Sequence, residues 1–425
     1  MHTQTNNSTA IGVVRLMYRF INLFLALFLL DGTVSFFDDV LHLLSLGSVL
    51  SVPRNLVASL TILTTIPVYL CLGIDSRIPR LRIIPLTAFI YLSFIWGWLF
   101  PEFAGSRSIS LLMSTIQILL AIITYSPLHP AHERRIFLKP DTFTGPAWSL
   151  KKNAPFWAAN ILIIPTIIIS CLLATANEYA IHLTSGFVRV SPKGVFMSER
   201  AYVKDDRKIR LIAMVHVGEQ TYYDDLFKKE WSSSSIILVE GVSDKKLLLQ
   251  NRLSYGKAAA MLGLVSQEKM RFAGRPVELK DIGKSRQQKN VSNRFGPDML
   301  RADVDVSAFN PKTIAFLNAA GKYMNDGNSS FREGMAALNA WSEQHMTPQD
   351  NMIVMDDIIQ LRNKAVIGFL DKVLPSYNTI IIPWGALHMP EVEQAILKRG
   401  FELQDSSEHL SLDFFKLIKS SLKGV

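Results

Sequence analysis

The first part of the chain alternates long apolar stretches with short polar connections. Five stretches contain the roughly 20 apolar residues that a helix needs to cross a hydrocarbon core. They lie at about residues 14–36, 55–74, 83–100, 109–126 and 157–177. The first stretch carries Arg15 and Arg19 near its start, where long side chains can extend to lipid headgroups. This pattern predicts a bundle of about five transmembrane helices, of which the first is a retained anchor rather than a cleaved signal peptide.

One short apolar segment leaves the number of spans open. Residues 40–52, "VLHLLSLGSVLSV", form a further apolar run, but about 13 residues are few for a helix that crosses a bilayer. A sixth span here would invert the orientation of everything that follows. The sequence favours five spans and keeps six as the alternative.

The second part of the chain has a different pattern, in which short β-branched runs alternate with segments of helical periodicity. Strands are predicted at 235–241, 276–282 and 377–385, and helices at 222–231, 311–324, 331–344 and 349–374. Such alternation is typical of an α/β domain, here with a largely parallel or mixed central sheet. About 240 residues are enough to enclose one core.

Charge is distributed unevenly along the 425 residues, of which 49% are hydrophobic and 19% charged. Residues 1–177 contain 12 Lys and Arg against 7 Asp and Glu, whereas residues 178–425 contain 33 against 29. This shift predicts a membrane-anchoring helical domain at 1–177 and a soluble domain at 178–425. The basic residues of the second part are scattered among acids, so the net charge of +9 does not favour nucleic-acid binding.

Loop charges predict the orientation in the membrane. Basic residues are concentrated between the second and third spans and before the fifth, namely Arg77, Arg80, Arg82, Arg134, Arg135, Lys139, Lys151 and Lys152. Positive loops stay in the cytoplasm. Asp31, Asp38 and Asp39 are assigned to a connection on the opposite side. We therefore expect an integral protein of a bacterial-type inner or plasma membrane, with a cytoplasmic amino terminus and an extracytoplasmic second domain.

Two segments of the second part repeat one arrangement, "RLIAMVHVGEQ" (210–220) and "IIIPWGALHMPEV" (380–392). In each, an apolar strand is followed by a histidine, then by a glutamate and a predicted helix. Groups at the carboxyl ends of parallel strands face the ligand crevice of an α/β sheet. His216 and His388 are therefore expected to share a cleft, which Glu240 joins from the end of a third strand.

Two imidazoles and a carboxylate are a usable ligand set for a divalent metal, or a base with an orienting partner. A histidine at a strand end also commonly caps backbone groups, and the sequence leaves that alternative open.

These residues resemble the TraB/GumN family, which includes the Tiki proteins. The family is marked by two Gly-x-x-His turns at opposite ends of an α/β domain. Here the second turn is intact from Gly385 to His388, whereas the first has Ala213 in place of the usual glycine. The resemblance covers about residues 185–405 and leaves the membrane part unexplained. It implies the α/β fold of the erythromycin esterases (EreA), ChaN and the Tiki-like proteins.

Three further positions match the family's pattern. Glu240 matches its acidic residue after the next strand, and Arg362 with Asn363 matches its Arg-Asn pair. The residue before that pair is often acidic in the family, whereas here it is Leu361. Tiki-like members imply metal-dependent peptide cleavage, and erythromycin-esterase-like folds imply the hydrolysis of small esters.

We therefore expect a membrane-anchored hydrolase of peptides or small esters and amides, in which His216, Glu240 and His388 hold Mn, Co or Zn. Glu219 and Glu391 are candidates for an additional ligand or a general base, although a glutamate that opens a helix is favoured by the helix dipole in any case.

Arg362 is expected to stabilise negative charge on the substrate, and Asn363 to orient a neighbouring group. The plainer alternative is a surface arginine paired with Asp356 or Asp357. Asp303 and Asp305 could bind a metal or an amine, or they could cap a loop. Tyr222 and Tyr223 could line a pocket or belong to the core.

A different class of function also fits the sequence, namely a non-catalytic protein that binds a peptide or small ligand in the same cleft. Ala213 supports it, because the loss of a glycine could relax a close backbone approach.

The orientation can be tested directly. A reporter fused after Val425 is expected to report an extracytoplasmic position, because the basic loops place an odd number of spans before it. The measurement compares alkaline phosphatase and green fluorescent protein fusions at this position, with fusions after Arg82 as the cytoplasmic control. Green fluorescence without phosphatase activity at Val425 would show that the number of spans is even.

Overall fold

The computed structural model describes residues 2–47, 49–100, 103, 105–125, 146, 148–227, 231–232, 234–267, 274–282 and 296–423. The chain forms two compact units, residues 1–174 and 175–425. The first consists of long helices and the second contains a central sheet with helices. Each unit has its own hydrophobic core.

The first unit is built from helices that are apolar over most of their length. They are α1 (His2–Leu43), α2 (Ser51–Ile74), α3 (Arg80–Leu99), α4 (Arg107–Tyr125) and α5 (Leu150–Thr184), the last of which continues into the second unit. All five are long and apolar enough to cross a membrane, judged by length and composition among the described residues. The prediction of five such helices is confirmed. The described residues of the range 40–52 do not form a sixth, because they contain the end of α1 and the start of α2.

The core of this unit lies between α1, α2, α3 and α4. Phe24 and Phe28 of α1 are fully buried beside Leu72 of α2 and Leu86 of α3. The assignment of Asp31, Asp38 and Asp39 to a connection is wrong, because α1 continues to Leu43 and all three carboxylates are buried on it. The apolar run alone predicted an earlier end of the helix, since charged residues are rare inside transmembrane segments.

The second unit contains ten strands and eight further helices among the described residues. The strands are β1 (Val188–Val190), β2 (Gly194–Lys204), β3 (Arg207–Met214), β4 (Val217–Gly218), β5 (Ser235–Val239), β6 (Val265–Ser266), β7 (Arg275–Pro276), β8 (Asp298–Arg301), β9 (Thr379–Gly385) and β10 (Glu402–Asp413). The helices are α6 (Gln220–Phe227), α7 (Gly256–Met261), α8 (Pro311–Asn325), α9 (Phe331–His345), α10 (Pro348–Met355), α11 (Arg362–Val373), α12 (Met389–Lys398) and α13 (Phe414–Lys423).

The central sheet is mixed. Strands β3, β9, β5, β8 and β7 are neighbours in this order and run parallel, whereas β1, β2 and β10 add to one side in antiparallel pairs. β9 is central and reads "TIIIPWG", a nearly continuous apolar run of the kind found in strands that are covered on both faces. The α/β class with a mixed sheet is confirmed.

Individual elements follow the sequence pattern to different degrees. The strands predicted at 235–241 and 377–385 form β5 and β9, and the predicted helices form α8, α9, α10 and α11. The helix predicted at 222–231 corresponds to α6, which ends at Phe227; residues 228–230 lie outside the described residues. The strand predicted at 276–282 is wrong, since only Arg275 and Pro276 pair, and Leu279–Asp281 form a 3₁₀ turn. β7 is the edge of the sheet, and Pro276 cannot donate a ladder hydrogen bond.

The long helix predicted at 349–374 is interrupted by one irregularity. Between α10 and α11, residues Asp356–Leu361 form a π-helical turn. Such turns insert an extra residue into the helical repeat and occur frequently at functional sites. Here the turn comes directly before Arg362 and Asn363, which places both at the start of α11.

Candidate functional site

Polar groups follow the carboxyl ends of four adjacent parallel strands. His216 lies two residues after β3, Gly385 ends β9, Glu240 follows β5, and Asp303 lies two residues after β8. These strand ends meet at one edge of the sheet, which is the edge where α/β sheets bind ligands. The structure therefore places His216 and Glu240 at the edge that the sequence predicted, with Asp303 as an additional carboxylate.

The guanidinium of Arg362 lies at the centre of this edge. Its Nε and Nη2 donate to both oxygens of Asp303, at 3.0 and 2.7 Å, and Nη2 also donates to Glu240 Oε1 at 2.8 Å. The Asp303 side chain is fully buried, and only 12% of the Arg362 side chain is exposed. Burial by itself would lower the pKa of Arg362, but the contacts with Asp303 and Glu240 raise it, so the side chain stays cationic. The alternative pairing of Arg362 with Asp356 or Asp357 is not formed.

Both carboxylates also accept backbone hydrogen bonds that fix them to the strands. Glu240 Oε2 accepts from the Gly385 amide at 2.7 Å. Asp303 accepts from the amides of Gly241 and Val304, at 2.9 and 2.8 Å. One network therefore connects both carboxylates, the guanidinium and the ends of β5 and β9. Hydrogen bonds to charged groups are stronger than those between neutral groups, so this network is rigid.

His388 is held by a chain of three side chains. Its Nδ1 lies 2.7 Å from Asn363 Oδ1, and Asn363 Nδ2 donates to Glu391 Oε2 at 2.6 Å. A carboxylate only accepts, so the amide nitrogen must face Glu391 and the amide oxygen must face the histidine. His388 Nδ1 then carries the proton, and Nε2 has a free lone pair. Nε2 lies 3.8 Å from Glu240 Oε1, which is too far for a hydrogen bond.

Burial keeps this imidazole neutral. The His388 side chain is 5% exposed, and its edge meets the face of Trp384 at a centroid distance of 5.2 Å. Burial lowers the pKa of His388 to about 4, against an opposing effect of the Glu240 carboxylate, and the nearby Arg362 cation lowers it further. The unprotonated form therefore dominates at neutral pH.

His216 has a different environment, because it is exposed and lies in a cavity. Its ring stacks on Tyr255 with centroids 4.6 Å apart, and its Nδ1 lies 3.1 Å from Gln267 Oε1. If the amide oxygen of Gln267 accepts, Nδ1 carries the proton and the lone pair of Nε2 is free. Stacking and this contact together fix the plane of the ring.

The cavity at this edge has a volume of about 830 Å³. His216, Glu240 and Arg362 line it together with Tyr255 and Gln267. Apolar side chains complete its wall, among them Val239, Val242, Leu249, Leu253, Met299, Phe309 and Leu317. Its size and its mixture of apolar and polar groups are those of a small-molecule site.

Four of the predicted site residues do not line the cavity, namely His388, Asn363, Glu219 and Glu391. The prediction that His388 shares this cleft with His216 is therefore wrong, because His388 is buried behind the sheet edge against Trp384 and Asn363. Glu219 does not line the cavity, since its amide bonds to Ser411 of β10 and its carboxylate lies 3.4 Å from Lys416. Glu391 contacts Asn363 rather than either histidine. Glu219 therefore contacts β10 and α13 rather than the cavity. Glu391 is the last of the three hydrogen-bonded side chains that orient His388.

The remaining sequence candidates divide between the site and the core. Asp303 belongs to the site, whereas Asp305 caps a loop by accepting from Ser243 Oγ and the Lys245 amide, and these bonds hold its pKa well below its usual range. Tyr222 and Tyr223 are buried, and their hydroxyls donate to the carbonyls of Ala213 and Val215. They support the first histidine turn from the core.

The predicted metal ligands do not form a three-ligand centre in this arrangement. Within the described ranges, no group of three or more His, Cys, Asp or Glu side chains could hold a metal ion. Both oxygens of Glu240 are occupied by Arg362 and the Gly385 amide, and His216 is held against Tyr255. Both carboxylates are already bound to Arg362, so this donor set does not fit a resident divalent metal as it stands.

The alanine in the first histidine turn does not signal a lost function. Gly385 in the second turn has φ −51°, a value that any residue adopts. Ala213 lies fully buried within β3, one residue before the end of that strand. Neither position requires a glycine for its backbone conformation, so this difference does not favour the binding protein over the enzyme.

Sequence reasoning missed two side chains of the site. Gln267 and Tyr255 hold His216, yet they lie directly after β6 and directly before α7, far from any histidine motif along the chain. No local pattern marks them. The sequence did mark Asp303 as a candidate, because the segment "RADVDV" contains two acidic residues. It did not indicate that Arg362 is the partner of Asp303.

Comparison of the chain with family models, with curated proteins and with solved structures found no match. The resemblance to the TraB/GumN family therefore stays a prediction that rests on the two histidine turns, Glu240 and the Arg362-Asn363 pair.

The lowered pKa of His388 predicts a pH dependence of stability. Between pH 6.5 and about 4 the unfolded chain protonates this imidazole and the folded chain does not. Stability is therefore complete above pH 6.5 and is lost as the pH falls toward 4, by on the order of 3 kcal/mol. Urea unfolding of the full-length protein in neutral detergent, followed by tryptophan fluorescence, measures this slope.

The variant His388→Gln is expected to flatten the slope over this interval. His345→Asn is the matched control, because this histidine is exposed on α9. Equal slopes for the wild type and His388→Gln would show that His388 titrates near its ordinary value.

Proposed function

We propose that the second unit is a hydrolase of small esters or peptides that is anchored in the membrane by the five helices. The observation that supports this most directly is that His216 and Arg362 line the same cavity. His216 offers an imidazole with Nε2 free of any partner among the described residues. Arg362 offers the N–H groups of Nη1, for which the described part of the chain also supplies no hydrogen-bond partner. A base and a donor for an oxyanion are the two groups that acyl transfer to water requires.

The reaction uses these two groups in sequence. His216 Nε2 takes a proton from a water molecule while the water oxygen bonds to the carbonyl carbon of the substrate. The carbonyl oxygen becomes an oxyanion, which Arg362 Nη1 stabilises. The intermediate then breaks its bond to the leaving alcohol or amine, which receives the proton from the imidazolium of His216. The products are a carboxylic acid and an alcohol or amine.

The remaining residues position these groups. Asp303 and Glu240 hold the Arg362 guanidinium in a fixed orientation. This is possible because its N–H donors lie in one plane and can bond to both carboxylates at once. The turn that follows β9 is held by the hydrogen bonds that join Glu391, Asn363 and His388. Gly385 ends β9, and its amide donates to Glu240. Metal-dependent cleavage by Mn, Co or Zn, which the family resemblance implies, is the alternative route on the same edge.

The lining of the cavity favours a substrate with an anionic group and an apolar part. Arg252 and Arg301 line it, are exposed, and form no ion pair with a described residue. Guanidinium groups bind carboxylates with two parallel hydrogen bonds. The apolar wall suits a side chain or acyl group, so a peptide or ester that carries a carboxylate is the substrate class we propose.

Activity measurements on the full-length protein in neutral detergent test this proposal. A panel of p-nitrophenyl esters and fluorogenic peptides, with and without acidic groups, is expected to reveal turnover. His216→Asn is expected to lower kcat/KM by on the order of 10²- to 10⁴-fold, because a positioned base is lost. His345→Asn, remote on α9, is expected to leave it unchanged.

Chelation separates the two routes. The proposed mechanism predicts turnover that EDTA does not change and that added Mn, Co or Zn does not raise. Metal at one equivalent per chain, with activity lost on chelation, would contradict it in favour of the metal-dependent route. Saturable ligand binding without any turnover would instead identify a non-catalytic binding protein.

A further inference from the structure

The helix α13 (Phe414–Lys423) presents apolar side chains to solvent at the surface of the second unit. Phe415 and Ile418 are three residues apart, so they lie on one face of this helix. Their exposed fractions are 68% and 59%. Exposed apolar residues that form a patch rimmed by polar groups mark sites of interaction with proteins or membranes. The proposed hydrolase makes no use of this face.

Lysine side chains lie around these two residues. Lys416 and Lys419 belong to α13 itself, and both are exposed. Lys193 is exposed as well and lies in the turn between β1 and β2, where its carbonyl accepts from the Phe414 amide at 3.0 Å. Lys416 lies 3.4 Å from the Glu219 carboxylate. Lys193 and Lys419 form no ion pair with a described residue, so their charges are available to a partner.

The end of β10 fixes the start of α13. Asp413 is the last residue of β10, and its Oδ1 accepts from the amides of Phe415 and Lys416 at 3.0 and 3.2 Å. This carboxylate therefore caps the helix. With Asp413 and Glu219 counted, two carboxylates face three lysines, and the sequence has no further Asp or Glu from residue 414 to residue 425. The exposed face is therefore apolar and positively charged.

The turn between β1 and β2 is also joined to the helix that leaves the membrane. Val190 ends β1, and its amide donates to Asn177 Oδ1 of α5 at 2.8 Å. Asn177 lies at the end of the fifth apolar stretch, and Tyr179, two residues further on, is 66% exposed. Tyrosine is enriched at the boundary between hydrocarbon and water. The turn, and with it the start of α13, therefore lies beside the part of α5 that emerges from the bilayer.

We propose that α13 and the turn between β1 and β2 bind the anionic lipid headgroups of the bilayer that the five helices occupy. Phe415 and Ile418 enter the interface, and Lys193, Lys416 and Lys419 pair with lipid phosphates. Amphipathic helices with lysines beside an apolar face bind membrane surfaces in this way. Each lysine near an anionic surface contributes about fivefold in affinity.

A lipid surface suits this face better than a second copy of the chain does. A two-fold contact would place the same lysines opposite one another, and like charges across an interface repel. Lipid phosphates have the complementary charge. A bilayer is also at hand, because the chain carries five helices that are long and apolar enough to cross it.

Hydrogen exchange of the full-length protein tests the proposal. The protein is reconstituted into nanodiscs of phosphatidylglycerol or of phosphatidylcholine, and mass spectrometry follows the peptide that contains residues 414–423. Its exchange is expected to be about tenfold slower in phosphatidylglycerol, because only this lipid offers the lysines a net negative surface. Peptides from α9 (Phe331–His345) are expected to exchange equally in both lipids.

Two double variants separate the contributions of charge and of apolar contact. Lys193→Gln with Lys419→Gln is expected to remove most of the difference between the two lipids, because neither lysine pairs within the described part of the protein. Phe415→Gln with Ile418→Gln keeps the charges, and glutamine is a good helix former. This variant is expected to speed the exchange of α13 in both lipids.

Lys372→Gln with Lys398→Gln is the matched control. It removes the same charge from exposed residues of α11 and α12, outside this face, so it is expected to leave the exchange of α13 unchanged. Equal exchange of α13 in the two lipids, or the same effect of the control variant and of Lys193→Gln with Lys419→Gln, would overturn the proposal. Protection that persists in detergent and rises with protein concentration would also overturn it, and would identify a second copy of the chain as the partner.

Discussion

The ion pairs of Arg362 determine the arrangement of the whole sheet edge. One guanidinium joins Asp303, which follows β8, to Glu240, which follows β5, and Glu240 in turn accepts from the amide that ends β9. Such a pair adds little net stability, because both partners lose water when they are buried. Removal of one partner is costly, by about 3–5 kcal/mol, because an unpaired charge stays behind. The network therefore determines the relative positions of three strand ends, while its net contribution to the stability of the fold is small.

The sequence predicted those parts of the molecule that depend on local pattern. Apolar length identified the five helices, and period and β-branching identified β5, β9 and the helices around them. The carboxyl-end rule brought His216 and Glu240 to one edge. The pairing of Arg362 with Glu240 joins residues 122 apart in the chain, and that with Asp303 joins residues 59 apart. Hydrophobic periodicity carries no information on such partners.

The two histidine turns show the same limit. Their sequences are alike, yet His216 is exposed beside Tyr255 and His388 is buried beside Trp384. What differs is the tertiary environment. β3 continues into β4, which pairs with β6, whereas β9 ends in a 3₁₀ turn that leads directly into α12. Glu219 was misplaced for a related reason, since its neighbours on β10 and α13 lie almost 200 residues further on.

We expect the polar network around Asn363 to fix His388 as a neutral imidazole with its proton on Nδ1. Two-dimensional ¹H–¹⁵N spectra of histidine-labelled full-length protein report this state most directly, with His388 assigned by its loss in His388→Gln. We predict a protonated Nδ1 and an unprotonated Nε2 that persist from pH 8 to pH 5. A proton on Nε2, or conversion to the doubly protonated form with a midpoint near pH 6.5, would contradict the account.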